Sequence, residues 1–190
     1  LFVNFGIPSE ESINPELITV QESSDGENYQ ETRITGISRQ VTRNEGISFL
    51  LLLDNSGSMW DDLSGNPTSD EQNMRMTHAK RAIREFIASL SPLDRDGLAV
   101  FNTNFSAIQA ITDNTGDIPA LLDQVDKPAR DDGYTELYGA IHTSLNTFGQ
   151  TGRRKVLIVL SDGEHFPFSG NNSNITADDG INAAITEGIT

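Results

Sequence analysis

Five oxygen-bearing side chains stand where they could hold a hard metal ion. Asp54, Ser56 and Ser58 occupy i, i+2 and i+4 of the string Asp54-Asn55-Ser56-Gly57-Ser58-Met59. In extended chain those three side chains share one side. One carboxylate and two hydroxyls are hard ligands, suited to Mg²⁺, Ca²⁺ or Mn²⁺ and not to zinc. A second acid, Asp162, stands in Ser161-Asp162-Gly163. Two carboxylates facing each other repel, and a divalent cation between them removes that cost. Thr135, in Gly133-Tyr134-Thr135-Glu136-Leu137, follows an acidic loop and offers a further hydroxyl. The Asp-x-Ser-x-Ser string alone reads equally well as a turn capping the next helix. Thr135 reads as a ligand before it reads as a mere N-cap, and the two roles can coexist. The second acid and the threonine loop together favour the metal.

Two short apolar runs must position these residues. Ile47-Ser48-Phe49-Leu50-Leu51-Leu52-Leu53 ends in Asp54, and Val156-Leu157-Ile158-Val159-Leu160 ends just before Asp162. Neither alternates, so each reads as a strand buried on both faces inside a parallel sheet. If the two are neighbours, Asp162 faces Asp54 at the crevice where ligands of open α/β sheets bind. A helix is predicted from Met74 to Leu90, with Met76, Ala79, Ile83, Phe86, Ile87 and Leu90 on one face, and Pro92 ends it. Others are predicted near Asp117, from about Thr135 to Phe148 with Leu137, Ile141, Leu145 and Phe148 aligned, and over Asp178–Glu187 before Gly188. Gly97–Asn102 and Phe105–Ile111 read as a hairpin around Thr103-Asn104. That order implies a doubly wound, Rossmann-like α/β domain with a mostly parallel sheet flanked by helices.

Residues 1–45 read as a β-rich lead-in and 46–190 as the α/β domain. Gly188-Ile189-Thr190 resembles the opening of another strand, so the domain is expected to be truncated at its C-terminus. The first residue is Leu1, so the lack of a targeting segment is not read as a cytosolic address.

Composition removes several function classes. With 28 acidic residues against 13 Lys plus Arg, a net charge of −15, the chain lacks the basic footprint that nucleic acid requires. Arg153-Arg154-Lys155, a tight basic cluster, precedes an apolar run and reads as flanking a strand. The absence of cysteine excludes a disulfide framework, a thiolate zinc site and a cysteine nucleophile. No apolar run nears the roughly 18 residues that span a bilayer, so no membrane insertion is expected from this segment.

The Asp-x-Ser-x-Ser string, the later loop threonine and the later aspartate together resemble the von Willebrand factor type A domain family with its metal-ion-dependent adhesion site. The resemblance covers about residues 46–190. It implies that Ser56, Ser58 and Thr135 bind the metal directly, while Asp54 and Asp162 hold it through water and hydrogen bonds. One divalent cation is implied, Mg²⁺ foremost, with Ca²⁺ or Mn²⁺ as alternatives. An Asp or Glu carboxylate of a protein partner would complete the coordination sphere, making this an adhesion-type binding module and not an enzyme, with no catalytic residue. Ile18-Thr19-Val20-Gln21-Glu22 followed by Asp25-Gly26-Glu27 resembles the segment preceding this domain in exported bacterial relatives, which implies an extracytoplasmic address: periplasmic, cell-surface or secreted. Tyr134 departs from the Gly or Ser that many relatives carry. Residues 60–72 resemble an insertion whose acids, Asp61, Asp62, Asp70 and Glu71, are expected to be solvated. Trp60 and Tyr134 read equally as the rim of a partner pocket or as packing for their own loops, and His165 is expected in solvent.

Two alternatives stand beside this reading. A Mg²⁺-dependent phosphohydrolase of the haloacid dehalogenase type also ends its first strand in Asp, but usually needs D-x-D, and position 56 is Ser. An intracellular subunit partnering an AAA+ ATPase would look the same at the metal.

Overall fold

The computed structural model describes residues 20–23, 27–32, 46–113, 116–149, 152–163, 165–169 and 175–190. The chain divides into two compact units, Leu1–Thr42 and Arg43–Thr190. In the first, β1 (Val20–Glu22) pairs antiparallel with β2 (Gln30–Thr32), Gln21 opposite Glu31. Asp25 and Gly26, singled out in the sequence, lie outside the described residues.

The second unit is built on β3 (Ile47–Asp54), whose leucines Leu50 to Leu53 are each at most 1% exposed. Such a strand must have a neighbour on each edge and a layer on each face. Its edge neighbours are β4 (Arg95–Phe101) and β6 (Arg154–Leu160), both parallel to it, and β5 (Phe105–Asp113) returns antiparallel beside β4, giving the order β5-β4-β3-β6. Leu51 and Leu53 enter one core with Leu98 of β4 and Ile158 and Leu160 of β6, under α1 (Arg75–Ser89) and α2 (Ile118–Asp123). Leu50 and Leu52 enter the other with Ala99, Phe101 and Leu157, under α3 (Leu137–Leu145) and α4 (Ala177–Glu187). Burying one such leucine contributes about 2 kcal/mol. The predicted faces of α1 and α3 are the ones that pack: Met76, Ala79, Ile83, Phe86 and Ile87, with Leu90 just past the helix end, join the first core, and Leu137, Ile141 and Leu145, with Phe148 in the turn that follows, join the second.

Differences lie at the element ends. β4 starts at Arg95, two polar residues earlier than expected, because Arg95 reaches Asp113 across the hairpin at 2.8 Å. A bulge there brings β5 so close to Gly97 that a Cβ would lie 2.9 Å from Ile111 Cγ1, which only glycine tolerates. Ile189 bridges to Lys155 in parallel, with Thr190 N donating to Lys155 O at 3.0 Å and Leu157 N to Thr190 O at 2.9 Å. These residues therefore lie beside β6, joined to it by one isolated bridge. Among the described residues no helix is long and apolar enough to cross a membrane.

Candidate functional site

Three loops leave the same end of the sheet and are knitted together. The first follows β3. Asp54, wholly buried, pairs with Phe101, and Asn55 N donates to Phe101 O at 2.7 Å, so the chain holds strand pairing until it turns. Ser56 N then folds back on Asp54 Oδ1 at 2.7 Å, and Ser56 Oγ lies 3.3 Å from Ser58 Oγ. The third loop leaves β6 beside it, because Leu53 registers with Leu160. Ser161 Oγ donates to Asp54 Oδ2 at 2.5 Å and Ser58 Oγ to Asp162 Oδ1 at 3.0 Å. The second loop joins by backbone: Gly57 N donates to Gly133 O at 3.0 Å, and Thr135 exchanges two bonds of 2.9 Å with Phe166.

Asp54, Ser56, Ser58 and Asp162 are thus brought together by direct contacts, and Thr135, 6% exposed, is held in an adjoining loop. Thr135 is not the cap of α3, which begins at Leu137 after Glu136. The helix starts later than the sequence suggested because Thr135 is bridged to Phe166.

Burial pushes the Asp54 carboxyl above its ordinary pKa; hydrogen bonds from Ser161 and Ser56 pull it back, and the Asp162 charge raises it again. The hydroxyl and amide donors around Asp54 thus only partly offset what burial costs its charged form. Arg75, the first residue of α1, forms an ion pair with Asp162 through Nη1 and Oδ2. Among the described residues there is no cluster of three or more His, Cys, Asp or Glu able to hold a metal. Any ion bound here would rely on a mixed set of two acids and neutral hydroxyls, hard oxygens that fit Mg²⁺, Mn²⁺ or Ca²⁺.

The flanking residues separate into two groups. Trp60 packs its own loop: Nε1 donates to Asn55 Oδ1 at 3.0 Å, Lys80 Nζ stands 5.6 Å over the ring, and the side chain joins the first core. Tyr134 instead stacks on Phe166, ring centroids 5.9 Å apart, and meets Phe168 edge-on at 5.2 Å, with Phe166 67% exposed. His165 is not in solvent as expected; its ring stacks on Tyr138 at 4.2 Å and Nε2 lies 3.9 Å from Glu136 Oε1. In the insertion, Asp62 Oδ1 accepts from Ser64 N and Asn66 N at 2.9 Å each, and Asp70 accepts from Gln72 N at 3.2 Å, so these acids shape turns on the surface. Ser161, Arg75 and Phe166 were missed as site residues. Ser161 alone had a signal, its place beside the second strand-ending acid.

No curated protein sequence matches the chain. A family model described as von Willebrand factor type A domain matches residues 49–165, which contain all five candidate ligands. Among solved structures, the conserved hypothetical protein BatB from Bacteroides thetaiotaomicron is 25% identical, with a TM-score of 0.61 over 76% of this chain and 64% of that one. An aerotolerance-related membrane protein from Bacteroides fragilis is 20% identical, with a TM-score of 0.53 over 76% of this chain and 90% of that one. The PilB minor pilin from Streptococcus sanguinis is 20% identical, with a TM-score of 0.53 over 71% of this chain and 32% of that one. The last two likenesses are of fold alone. The chain spans less than two thirds of BatB and about a third of the pilin.

Proposed function

The chain belongs to the von Willebrand factor type A domain family, and from that premise we propose that it is a protein-binding module whose metal-ion-dependent adhesion site takes a partner carboxylate. The observation that carries this reading is the convergence of Asp54, Ser56, Ser58 and Asp162 through direct contacts, with the Thr135 loop tied to the same turn. Ser56, Ser58 and Thr135 would hold one divalent cation through their hydroxyls, Mg²⁺ foremost, with Asp54 and Asp162 as outer acids. When bound, the ion supplies an electrophilic centre for an Asp or Glu side chain of the partner.

The protein's own residues do the rest. Asp54 holds the turn in place through Ser56 N and supplies charge; Ser161 orients Asp54 by donating to its second oxygen. Tyr134, Phe166 and Phe168 offer exposed aromatic area beside Thr135, the kind of surface that anchors partners. A non-enzymatic role is supported by Ser at position 56, where a phosphohydrolase of the rival type carries its second acid, and by His165 being engaged with Tyr138 and Glu136. The extracytoplasmic setting rests on Ile18-Thr19-Val20-Gln21-Glu22 followed by Asp25-Gly26-Glu27, which resembles the segment preceding this domain in exported bacterial relatives.

Calorimetry tests the site: the protein should bind one Mg²⁺ or Mn²⁺, and folded Asp54→Ala and Asp162→Ala variants should bind it far more weakly. Unchanged binding in both sinks the assignment. Pull-down from surface or periplasmic extracts, with Mg²⁺ and with EDTA, tests the module; capture of an AAA+ ATPase instead, or Asp54-dependent turnover of a phosphate ester, would replace it.

A further inference from the structure

Arg75 belongs to none of the three site loops, yet its guanidinium lies in the site. Nη1 pairs with Asp162 Oδ2 and also donates to Ser58 O at 3.4 Å. Both Asp162 oxygens are therefore engaged, since Oδ1 accepts from Ser58 Oγ. The pair is mostly out of water, the Arg75 and Asp162 side chains being 24% and 11% exposed, so it is screened less than a surface bridge. The arginine is also held in place. Its backbone N donates to Asp61 O at 3.1 Å, and Nη2 lies 3.1 Å from where a Cβ on Gly65 would stand, so residues 61–65 of the insertion close over it.

We infer that Arg75 is a built-in competitor for the metal site, holding Asp162 when no divalent ion is bound and thereby setting how tightly an ion binds. This rests on the metal-binding reading above. A guanidinium stays charged at any physiological pH, so Arg75 presents a fixed positive charge that a divalent cation sharing Asp162 meets at short range. Arg75 must give up Asp162 Oδ2, or share it, before that carboxylate can serve an ion. The neutral length of the side chain is incidental; the charge sets the competition.

The test is calorimetric titration of Mg²⁺ into the whole chain and into Arg75→Gln and Arg75→Lys, with melting temperatures in EDTA. Arg75→Gln should bind Mg²⁺ about tenfold tighter, and should melt lower than the parent in EDTA because Asp162 has lost its cationic partner and keeps only the bond from Ser58 Oγ. Arg75→Lys, which keeps the charge, should stay near the parent affinity. If the parent binds Mg²⁺ and Arg75→Gln binds equally or more weakly, competition is wrong while the site stands. If Arg75→Lys binds as tightly as Arg75→Gln, charge is not the competing element and the inference falls. If Arg75→Gln binds and the parent does not, the inference holds and metal dependence of the natural protein fails. If none of the three binds Mg²⁺, both fail together.

Discussion

Asp54 and Asp96 are two carboxylates of one sheet, both 0% exposed, placed on neighbouring parallel strands at opposite ends. Burial raises the pKa of each. Their surroundings differ. Asp54 accepts from Ser56 N and Ser161 Oγ, and stands near the Asp162 charge. Asp96, apart from its own amide, has no hydrogen-bond partner on either oxygen among the described residues, and the Asp117 charge raises its pKa further. Desolvation alone disfavours a charge wherever it occurs, so a raised pKa does not mark a site. What separates Asp54 is convergence: oriented donors and further oxygens gather where strands end and loops can meet. Asp96 stands near the start of its strand, between Phe49 and Thr112 in the ladder, and among the described residues neither of its oxygens is met by a donor from the segments that join at that end, where Asp94 accepts from Ile47 N.

The contrast is broken most directly by removing each acid in turn. Asp54→Ala should weaken Mg²⁺ binding about a hundredfold, equivalent to the loss of roughly 3 kcal/mol from a charged, hydrogen-bonded group. Asp96→Asn should leave Mg²⁺ affinity unchanged in the same titration. Equal losses in the two variants would show that both acids act by general electrostatics.

The next effect is on stability. Because the folded protein holds the Asp96 proton above its ordinary value of 3.8, native Asp96 binds more protons than the unfolded chain, and its contribution falls as pH rises through the raised value. Asp96→Asn removes that loss, so it should stabilise the fold by about 1 to 3 kcal/mol at neutral pH. The gain should vanish below about pH 3.5, where the parent carboxyl is protonated in both states. Chemical denaturation in EDTA at the two pH values reads it directly, and a gain independent of pH would mean that shape and not charge is responsible.

Smaller still is the effect of making Asp54 more like Asp96. Ser161→Ala takes away one donor, which is worth about 1 kcal/mol, so Mg²⁺ affinity should fall roughly fivefold while the melting temperature in EDTA moves little. A loss as large as that of Asp54→Ala would make Ser161 a ligand and not an orienting group.

The central strands and the main helix faces were legible because their signals are local. Leu50 to Leu53 lack alternation because β3 is covered on both faces, and the 3.6-residue spacing of Met76, Ala79, Ile83 and Ile87 picks out the packed side of α1. Val156 to Leu160 lack it too, yet β6 is the last strand of the sheet and Val159 is 37% exposed, so the expectation of a strand buried on both faces fails there. The string Asp54, Ser56 and Ser58 was legible by residue type and spacing, but not for the reason that extended chain puts alternate residues on one side: Gly57–Trp60 is a 3-10 helix, and Ser58 reaches Ser56 from within that turn. The start of α3 was not. Thr135 reads as a helix opening until Phe166, far along the chain, takes its backbone into a bridge.

Sequence by itself determined that β3 is an interior strand, that a second apolar run forms β6 and that an acid stands at the end of each, because hydrophobic patterning and residue type suffice for that; it did not determine that β6 is the last strand in the order β5-β4-β3-β6. Tertiary structure decided that the two strands are adjacent, that Ser161 reaches Asp54 across 107 residues and that Arg75 reaches Asp162 across 87. It also decided that His165 stacks on Tyr138 and that Trp60 turns inward while Tyr134 joins an exposed aromatic cluster. Those contacts depend on register between strands and on the direction in which each loop leaves the sheet. Neither quantity is encoded in a local pattern; both follow only when the two cores close and bring distant side chains within a few ångströms of one another.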